Sequence, residues 1–492
     1  MLKNLIYIFD LDKTLIKSDT LIEAFIYRFF RNPLIIFACF YYLFIKRSKL
    51  ALKEFLSKSF IDNFSASDLP LNENVKELIL QKRSEGYKCY LVSASVDPVV
   101  QKFYQAYPEL FDGAFGSNKE RGNLAGSNKL KFIKDLVARE GADGFCYVGD
   151  SAKDIVIWNE SKEAYCNTTK SSIIGKIRVP KVIIKEKVSK VTKLITLSKA
   201  ILKQMRVHQW AKNSLIFLPA VATHHLLAWG DYLNLLVAFF AFSFLASSVY
   251  IINDFLDIND DRAHVSKRNR PLASCKLPIP LGFILLFVCL GISFGFAYFV
   301  SWLLVYMCLA YFILNLAYSI KLKKIVLFDC IILSLMYVYR IGIGVCVTTL
   351  ILSPWMMSFS FFLFLSLAFV KRYSELYNLA KISDGKNVKI SRGYHVADMN
   401  LIMLFAVVSG VVSVLVCNLY YNSEEVKETF KTLWITYLSL PVLVYWLCRV
   451  FLLTYRGQMN EDPVLFAIKD KTSFILGVAF VVLFSLGATL SW

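Results

Sequence analysis

The sequence of 492 residues is poor in the side chains that form disulfides and soft metal sites. Its eleven cysteines form no CxxC pair and several lie inside apolar runs, so we interpret them as small buried side chains. The five histidines have no spacing that is typical of metal ligands. The apolar start, Leu5–Phe9, is too short for a signal peptide and ends at Asp10, so none is predicted.

The sequence also has few acidic residues compared with basic ones. It contains 37 aspartates and glutamates and 56 lysines and arginines, so its formal net charge is +19. The basic residues fall between apolar segments, a pattern typical of a membrane surface and of phosphate binding rather than of nucleic-acid binding. Residues 1–165 have the composition of a soluble domain, whereas residues 213–492 consist mostly of long apolar runs. The sequence therefore predicts two parts of different kinds.

A cluster of acidic residues lies where a long apolar run, residues 235–252, ends. Asp254, Asp257 and Asp261 share one face if the helix continues. Two carboxylates ~6 Å apart repel by ~3 kcal/mol at an effective dielectric constant of 20, so the cluster needs a compensating cation. Mg²⁺ prefers carboxylates together with substrate phosphates, and the basic residues that follow, including Arg270, are suited to those phosphates. The alternative is a solvated acidic helix end followed by a basic loop that only sets the topology.

Three short apolar segments in the first part are typical of buried parallel strands: Leu5–Phe9, Tyr87–Val92 and Gly144–Val148. Open α/β sheets bind ligands at the carboxyl ends of their strands, and polar residues follow each of the three. Another polar residue precedes a predicted helix, Leu130–Val137. These polar residues are Asp10, Asp12 and Thr14 after the first strand, Ser93 after the second, Asp150 and Asp154 after the third, and Lys129 before the helix.

The motifs DLDKT and GDSAKD, with the serine and the lysine between them, resemble those of the haloacid dehalogenase superfamily of phosphohydrolases. The resemblance implies an α/β Rossmann-like domain in which Asp10 is the nucleophile that forms an aspartyl-phosphate and Asp12 is the general acid/base. The residues themselves suit this chemistry, because a metal and a lysine offset the charge of an attacking carboxylate, and a second carboxylate delivers a proton. The alternative is an inactive copy that serves as a scaffold.

The same resemblance implies roles for the other residues of these motifs. Ser93 and Lys129 hold the phosphoryl group, and Thr14 is a further substrate-binding residue. An Mg²⁺ ion is implied as the cofactor of this domain. Its ligands are Asp10, Asp150 and Asp154.

An insertion at about residues 19–71 lies where this superfamily often carries a helical cap. Its apolar run, residues 33–45, is too short to span a bilayer. Because basic residues flank this run, we predict a helix that lies in the membrane interface. A cap that packs on its own domain is an equally weighted alternative.

The domain boundaries follow from these changes in composition. We predict a phosphohydrolase-like domain at residues 1–180, a basic amphipathic linker at 181–205 and a membrane domain at 206–492. Within these limits, Val182–Ile184 is predicted as a brief strand and Val191–Met205 as an amphipathic helix that rests on anionic headgroups.

Nine apolar segments of roughly spanning length can be placed in the membrane domain. One set of connections is basic, and the other is short or acidic. By the positive-inside rule, the basic connections, the Asp-rich stretch and the N-terminal domain all lie on the cytoplasmic side of a cytoplasmic membrane. The predicted segments are residues 213–229, 232–254, 279–298, 300–319, 326–350, 354–370, 399–420, 433–451 and 473–491.

Nine helices with NDxxDxxxD at the end of the second resemble the UbiA superfamily of intramembrane prenyltransferases. Further stretches are similar to its decaprenyl-phosphate phosphoribosyltransferase branch, which joins phosphoribosyl pyrophosphate to a polyprenyl phosphate. The resemblance implies an all-α bundle of nine transmembrane helices that binds Mg²⁺ and both substrates. The stretches are RVHQWAKN (206–213), RPLAS (270–274), AYS (317–319), KRYSEL (371–376) and EDP (461–463).

One departure from the wider superfamily favours this branch. Enzymes that prenylate aromatic rings usually carry a second DxxxD motif in the loop after the sixth helix, whereas here Asp384 and Asp398 are not so spaced. A loop with more cations suits a substrate that brings extra phosphate. An aromatic prenyltransferase that uses a polyprenyl diphosphate, as in quinone biosynthesis, is the alternative, and a non-enzymatic membrane scaffold that senses phosphorylated metabolites is a third.

The branch resemblance also implies roles in the membrane domain. Mg²⁺ held by Asp254, Asp257 and Asp261 binds the pyrophosphate of the donor, and the lipid phosphate attacks the anomeric carbon from the opposite face. Asn253 orients a ligand, and Arg340 is either a functional cation or the partner of a neighbouring side chain. The remaining substrate-binding residues are Lys212, Arg270, Tyr318, Lys321, Lys371, Arg372, Glu375 and Arg392.

The fusion of the two parts suggests consecutive reactions. The membrane domain would make polyprenyl-phosphoryl-5-phosphoribose, and the soluble domain would then remove its 5-phosphate. The product would be a lipid-linked ribose donor for the synthesis of cell-envelope glycans. The sequence therefore predicts a bifunctional membrane enzyme.

Overall fold

The computed structural model describes residues 4–186, 189–222, 227–382, 392–424, 432–459 and 462–489. The chain forms two compact units. One consists of Met1–Met205 and Tyr250–Leu286, and the other of Arg206–Val249 and Phe287–Trp492. The first unit therefore contains both the α/β part and the Asp-rich segment.

A parallel sheet of six strands organises the first unit. The strands are β1 (Leu5–Phe9), β2 (Lys88–Val96), β3 (Gly113–Ser117), β4 (Gly144–Gly149), β5 (Ala164–Cys166) and β6 (Lys181–Ile183). Their order is β3-β2-β1-β4-β5-β6, so β1 lies between β2 and β4. The side chains of β1 alternate between the two faces: Tyr7 and Phe9 join one apolar core, and Ile6 and Ile8 join the other. The strands that the sequence predicts are confirmed, but β2 continues four residues beyond its predicted end, so Ser93 lies within this strand and does not follow it.

Helices cover both faces of this sheet. α4 and α5 contribute to the core that contains Phe9, and α6 and α7 contribute to the core that contains Ile8. The predicted helix at 130–137 lies within α6, and the predicted linker helix is α9. The helices are α1 (Thr20–Phe29), α2 (Ile35–Phe40), α3 (Lys49–Ile61), α4 (Glu73–Ser84), α5 (Asp97–Ala106), α6 (Ser127–Arg139), α7 (Ile155–Trp158), α8 (Ser171–Ile174) and α9 (Lys190–Gln204).

The insertion after β1 forms a helical cap made of α1, α2 and α3. The carboxylate of Asp19 caps α1 by accepting hydrogen bonds from the backbone N–H groups of Leu21 and Ile22 at 3.1 and 3.4 Å. Tyr27 of α1 and Phe60 of α3 join the same core as Phe9 of β1. The cap is therefore fixed to the sheet by its first and third helices.

The described chain has eight helices that are long and apolar enough to cross a membrane. They are formed by α11, by α13 to α17, by α18 and α19 together, and by α21. The helices that follow the linker are α10 (Leu218–Ala222), α11 (Trp229–Leu256), α12 (Ile258–Ala263), α13 (Ile279–Val300), α14 (Trp302–Ile320), α15 (Phe328–Cys346), α16 (Pro354–Ile382), α17 (Met399–Tyr421), α18 (Leu433–Tyr437), α19 (Ser439–Tyr455), α20 (Pro463–Lys469) and α21 (Lys471–Thr489).

The segment predicted as the first of nine spans, residues 213–229, does not form one long helix. Val207–Phe217 forms 3₁₀ turns, α10 has five residues, and residues 223–226 lie outside the described ranges. The irregular segment approaches α15 so closely that a Cβ on Gly344 would collide with the backbone oxygen of Ile216. Among the described residues, eight spans therefore stand where nine were predicted.

Candidate active sites

The first site lies at the carboxyl end of β1. Asp10 follows the strand, and the chain then turns sharply through Lys13, whose φ is 57°. The Asp10 carboxylate accepts hydrogen bonds from the Leu11 N–H and from the Lys129 ammonium, both at 2.9 Å. Lys129 is buried in the first turn of α6 and also donates to the Tyr147 hydroxyl at 2.9 Å. The structure thus places a fixed ammonium group against the predicted nucleophile.

Two further acids extend this site from the end of β4. One carboxylate oxygen from each of Asp10, Asp150 and Asp154 lies within 4.8 Å of the other two. The Asp154 carboxylate is held by the N–H and the hydroxyl of Ser151, both at 2.9 Å, and by the Tyr147 hydroxyl at 3.0 Å. Three carboxylate oxygens at this spacing are a donor set that suits Mg²⁺.

The electrostatics of this site indicate a need for positive charge. Burial raises the pKa of Asp10, with Lys129 opposing and Asp154 adding to the effect. Burial is the main cause of the rise in the pKa of Asp150 to about 7, and the negative charges of Asp10 and Asp154 contribute to it. The carboxylates therefore destabilise each other's ionised forms, and a divalent cation would remove that repulsion.

Asp12 is held by residues that the sequence did not indicate. Its carboxylate accepts hydrogen bonds from the Thr20 N–H at 2.7 Å and from the Ser95 hydroxyl at 2.5 Å. The hydroxyls of Thr20 and Ser95 lie 2.6 Å apart. Burial is the main cause that raises the pKa of Asp12 to about 6, and the negative charge of Asp19 is the second. Because Ser95 comes two residues after Ser93 along β2, the period of a strand was a signal that could have identified it.

Three other polar residues surround this region. Thr14 and Ser93 are fully buried, and the Thr14 hydroxyl has no hydrogen-bond partner within the described ranges. Ser93 accepts a hydrogen bond from the Ser95 N–H at 3.1 Å. Lys53 of α3 donates to the backbone oxygen of Ala94 at 2.5 Å, so the cap contributes a cation beside the end of β2.

A cleft of about 510 Å³ lies between α3 of the cap and the sheet. Ser57 and Lys58 line it from the cap, and Val96 and Ser117 line it from the sheet. The Ser117 hydroxyl donates to the backbone oxygen of Ala94 at 2.8 Å. The cleft is therefore linked to the residue that follows Ser93 through Ser117, but its lining contains none of the acids of the first site.

The Asp-rich segment forms a second site within the first unit. The helix does not continue as one rod, because α11 ends at Leu256 and α12 begins at Ile258, with Asp257 between them at φ −99° and ψ 12°. Asp254 and Asp261 nevertheless share a partner, since Arg270 Nη1 lies 3.1 Å from Asp254 Oδ1 and 2.5 Å from Asp261 Oδ2. We call Asp254, Asp261 and Arg270 the arginine cluster.

The arginine cluster differs from the predicted metal site. Within the described ranges, the acids close enough to form a metal site are Asp10, Asp150 and Asp154, and the triad Asp254, Asp257 and Asp261 does not meet that spacing. The guanidinium of Arg270 lies between two of its three members instead. The donor chemistry still suits Mg²⁺, because all three side chains offer oxygen atoms.

Two neighbours complete the arginine cluster. Gln204, at the end of α9, donates to Asp254 Oδ2 at 2.7 Å. The side-chain oxygen of Asn253 is buried and has no hydrogen-bond partner in the described part of the chain. Burial raises the pKa of Asp261, and Arg270 opposes this shift. The unpaired oxygen of Asn253 is a further donor for a cation at this site.

In the second unit, a lysine cluster consists of Lys212, Lys371 and Asp462. The Oδ2 atom of Asp462 lies 2.8 Å from the Lys212 ammonium and 3.0 Å from that of Lys371. Burial lowers the pKa of Lys212 to about 8, although Asp462 opposes the shift. Burial acts against ionisation of Asp462, but the two lysines outweigh it, so its pKa lies below the usual range. Two ammonium groups on one carboxylate leave excess positive charge for an anion.

Four more predicted residues meet around Asp329, an acid that the sequence did not single out. Arg372 lies 2.8 Å from Asp329 and also pairs with Glu375. Arg392 donates to the Tyr318 hydroxyl at 3.1 Å and lies 3.9 Å from Asp329. Lys321 is exposed beyond the end of α14, and Asp384 and Glu461 lie outside the described residues.

Arg340 pairs with neighbours inside the bundle. Its guanidinium donates to the side-chain oxygen of Asn213 at 2.9 Å and to the Tyr311 hydroxyl at 2.8 Å. Asn213 in turn donates to the Ser243 hydroxyl at 3.0 Å. These contacts tie the irregular segment before α10 to α11, α14 and α15.

Two family models match the chain. The model of the UbiA prenyltransferase family matches residues 215–475, and the model of haloacid dehalogenase-like hydrolases matches residues 7–157. The fold and the sites thus define an integral membrane enzyme with a phosphohydrolase-like N-terminal domain. The chain belongs to the UbiA prenyltransferase family.

The chain is similar to several known proteins. The uncharacterised protein y4nM of Sinorhizobium fredii is 32% identical over 470 residues, which cover 95% of this chain and 88% of that protein. The decaprenyl-phosphate phosphoribosyltransferase of Mycobacterium tuberculosis is 26% identical over 288 residues, which cover 57% of this chain and 91% of that protein. A structure of a UbiA homologue from Archaeoglobus fulgidus, bound to GPP and Mg²⁺, covers 58% of this chain and 98% of its own at 15% identity, with a TM-score of 0.42. The similarity to y4nM extends over both parts of the chain.

Proposed function

We propose that the membrane domain transfers phosphoribose from phosphoribosyl pyrophosphate to a polyprenyl phosphate, and that the N-terminal domain removes a phosphate from the product. The main support for this proposal is that basic side chains contact carboxylates in both clusters. Arg270 contacts two carboxylates in the arginine cluster, and two lysines contact one carboxylate in the lysine cluster. A pyrophosphate donor and a phosphate acceptor both need such cations. The relative named decaprenyl-phosphate phosphoribosyltransferase supports this pair of substrates.

In the proposed transfer, each cluster supplies cations for phosphate groups of the substrates: Arg270 in the first unit and the two lysines in the second. Mg²⁺ held by Asp254, Asp257 and Asp261 would offset the charge of the departing pyrophosphate. The lipid phosphate forms a bond to the anomeric carbon as the bond to pyrophosphate breaks. Charged groups that are already fixed in place need no rearrangement as positive charge develops on this carbon, which favours the transition state.

In the proposed hydrolysis, the free oxygen of Asp10 attacks the phosphorus atom and forms an aspartyl-phosphate. Asp12 gives a proton to the leaving oxygen as its bond to phosphorus breaks. Asp12 then accepts a proton from the water that attacks phosphorus and breaks the bond to Asp10, and a pKa of about 6 suits both roles. Lys129 offsets the charge that builds up on Asp10 and the phosphoryl group. Mg²⁺ at the three acids would supply the rest of that positive charge.

The proposed placement in the cell has the N-terminal domain on the cytoplasmic side of the cytoplasmic membrane. The alternation of basic and acidic connections between the spans supports it. We retain the division into residues 1–180, 181–205 and 206–492, with the cap at about 19–71. The substrates would then be a cytoplasmic sugar phosphate and a lipid from the inner leaflet.

The test is an assay of the purified chain in detergent with Mg²⁺, labelled phosphoribosyl pyrophosphate and a polyprenyl phosphate. We expect label to enter the lipid phase and to need Mg²⁺, followed by release of inorganic phosphate from the labelled lipid. If no polyprenyl phosphate accepts label, whereas an allylic diphosphate is transferred to hydroxybenzoate, the chain is an aromatic prenyltransferase instead.

A further inference from the structure

The second helix of the cap has an apolar surface that the proposed chemistry does not use. α2 continues through a wider turn, Tyr41–Ile45, and we call the whole stretch Ile35–Ile45 the cap apolar helix. Phe37 and Phe44 are 73% and 61% exposed, and the only buried residue of the stretch is Ile35. Contiguous exposed apolar side chains of this kind mark a surface that contacts something else.

The charge around the cap apolar helix indicates an anionic partner. Between Glu23 and Glu54 the chain has six lysines and arginines and no acidic residue. Arg31, Lys46 and Arg47 are exposed directly before and after the helix. A short helix with exposed aromatic residues and flanking cations has the properties of a helix that lies in the headgroup region of a bilayer.

The cap is also packed against the ends of two membrane spans. The ring of Phe30, just after α1, stacks on Phe255 near the end of α11, with the ring centroids 5.0 Å apart. The ring of Phe29 lies edge-on to Phe283 near the start of α13, at 5.1 Å. The cap apolar helix begins five residues after Phe30, which makes the first of these contacts.

We propose that the cap apolar helix inserts into the headgroup region of the membrane, so that the first site takes a phosphate monoester carried by a lipid. α3, which carries Lys53 to the backbone oxygen of Ala94 beside Ser93, begins only a few residues after this helix. A membrane-bound cap would therefore bring the acids of the first site close to the lipid surface. The insertion follows from the exposed side chains, whereas the lipid-borne substrate rests on the proposed function.

Insertion is tested by photocrosslinking in the full-length chain, reconstituted in vesicles of phosphatidylethanolamine and phosphatidylglycerol. Phe37→p-benzoylphenylalanine is expected to form lipid adducts that mass spectrometry detects. Leu80→p-benzoylphenylalanine, at an exposed apolar position on α4, is the matched control and is expected to form none. Equal labelling of both positions, or a crosslink from Phe37 to a second copy of the chain, would overturn the proposal.

The substrate class is tested with a double variant, Phe37→Ser with Phe44→Ser. We expect phosphate release from the vesicle-bound product of the transfer to fall about tenfold, because the first site is no longer held at the membrane surface. Release from soluble ribose 5-phosphate or p-nitrophenyl phosphate is expected to stay within about twofold of wild type. An equal loss on soluble and lipid substrates would refute the lipid-borne class. Absence of any transfer product would refute the proposed function and leave the crosslinking result to decide insertion.

A separate observation links the cap to the Asp-rich segment. The guanidinium of Arg262 in α12 forms two hydrogen bonds with the Glu23 carboxylate of α1, at 2.7 and 3.2 Å, and both side chains are almost fully buried. Arg262 also donates to the backbone oxygen of Ala273 at 3.1 Å. It therefore fixes the helix that carries Asp261 relative to the turn that follows Arg270.

We infer that Glu23 is a positioning residue for the arginine cluster. Glu23→Gln keeps the size of the side chain but removes its charge, so Arg262 should hold α12 less firmly. We expect the turnover rate of the transfer to fall about tenfold and the Mg²⁺ concentration for half-maximal rate to rise, as for other residues that orient ligands. Release of phosphate from p-nitrophenyl phosphate is expected to stay within about twofold of wild type. A double variant that exchanges the two charges, Glu23→Arg with Arg262→Glu, is expected to recover part of the transfer.

Hydrogen exchange separates this inference from the proposed reaction. Amide exchange in residues 258–263 should become faster in Glu23→Gln and remain unchanged in Glu77→Gln, a matched variant at an exposed glutamate of α4. Unchanged exchange in the first variant would overturn the positioning role, and so would a parallel loss of both activities.

Discussion

Replacing Asp10 with Asn is expected to lower phosphate release by at least about 1000-fold, because an amide cannot form the aspartyl-phosphate. The variant also removes the negative charge that faces the ammonium of Lys129 at 2.9 Å and one of the three carboxylates at the end of β1 and β4. The amide has nearly the same shape as the carboxylate, so the sheet and its turn should be retained. The transfer of phosphoribose to lipid should continue at close to the wild-type rate.

This prediction is checked by phosphate release from p-nitrophenyl phosphate and from the lipid product of the transfer. Asp135→Asn, at an exposed position of α6, is the matched control and should leave both rates unchanged. In Asp10→Asn, the transferred lipid should accumulate with its phosphate intact. Wild-type phosphate release from this variant would mean that the domain is not the phosphatase.

The parts of the first site that lie at strand ends could be predicted from the sequence. Asp10 and Asp150 follow continuous apolar runs, and strands of this kind place their last residues at one edge of a parallel sheet. Since β1 pairs with β4, the two carboxylates come within the spacing of a metal site. Local pattern is sufficient here, because adjacency in the sheet brings the strand ends together.

The contacts that hold those acids could not be predicted in the same way. Asp12 is fixed by Ser95 of β2, which lies 83 residues further along the chain, and by Thr20, the first residue of the first cap helix. The Tyr147 hydroxyl connects Lys129 to Asp154 from within β4. Such contacts depend on the packing of α1 and α6 against the sheet, which a pattern of apolar residues does not specify.

The membrane domain shows a different limit of sequence reasoning. The length of the apolar run predicted a span at 213–229. Hydropathy does not detect that Arg340 donates a hydrogen bond to Asn213, nor that the missing side chain of Gly344 leaves room for a non-helical segment. The spacing of the Asp-rich segment predicted one face, and Asp254 and Asp261 do meet, yet at Arg270 rather than in a group of three acids. The partner of a buried charge is set by the fold of the loop that follows, and this loop has no periodic pattern.

Replacing Asp254 with Asn is expected to lower transfer to lipid by about 100-fold or more, by analogy with the loss of a preorganised charged group in an active site. The carboxylate of Asp254 is buried and accepts hydrogen bonds from both Arg270 and Gln204. An amide at this position offers one acceptor instead of two and carries no charge. Arg270 would then face only one carboxylate of the cluster, that of Asp261, and a divalent cation would lose one of its charged oxygen ligands.

The matched control for this variant is Asp260→Asn, because Asp260 lies in the same segment but is exposed. Transfer of labelled phosphoribose is measured in both variants over a range of Mg²⁺ concentrations, together with phosphate release from p-nitrophenyl phosphate. In Asp254→Asn, the transfer should fall and its demand for Mg²⁺ should increase, while phosphate release stays at the wild-type rate. In Asp260→Asn, both activities should be preserved. Equal transfer by the two variants would show that the arginine cluster is a structural ion network, and the anion-binding role would then rest with the lysine cluster.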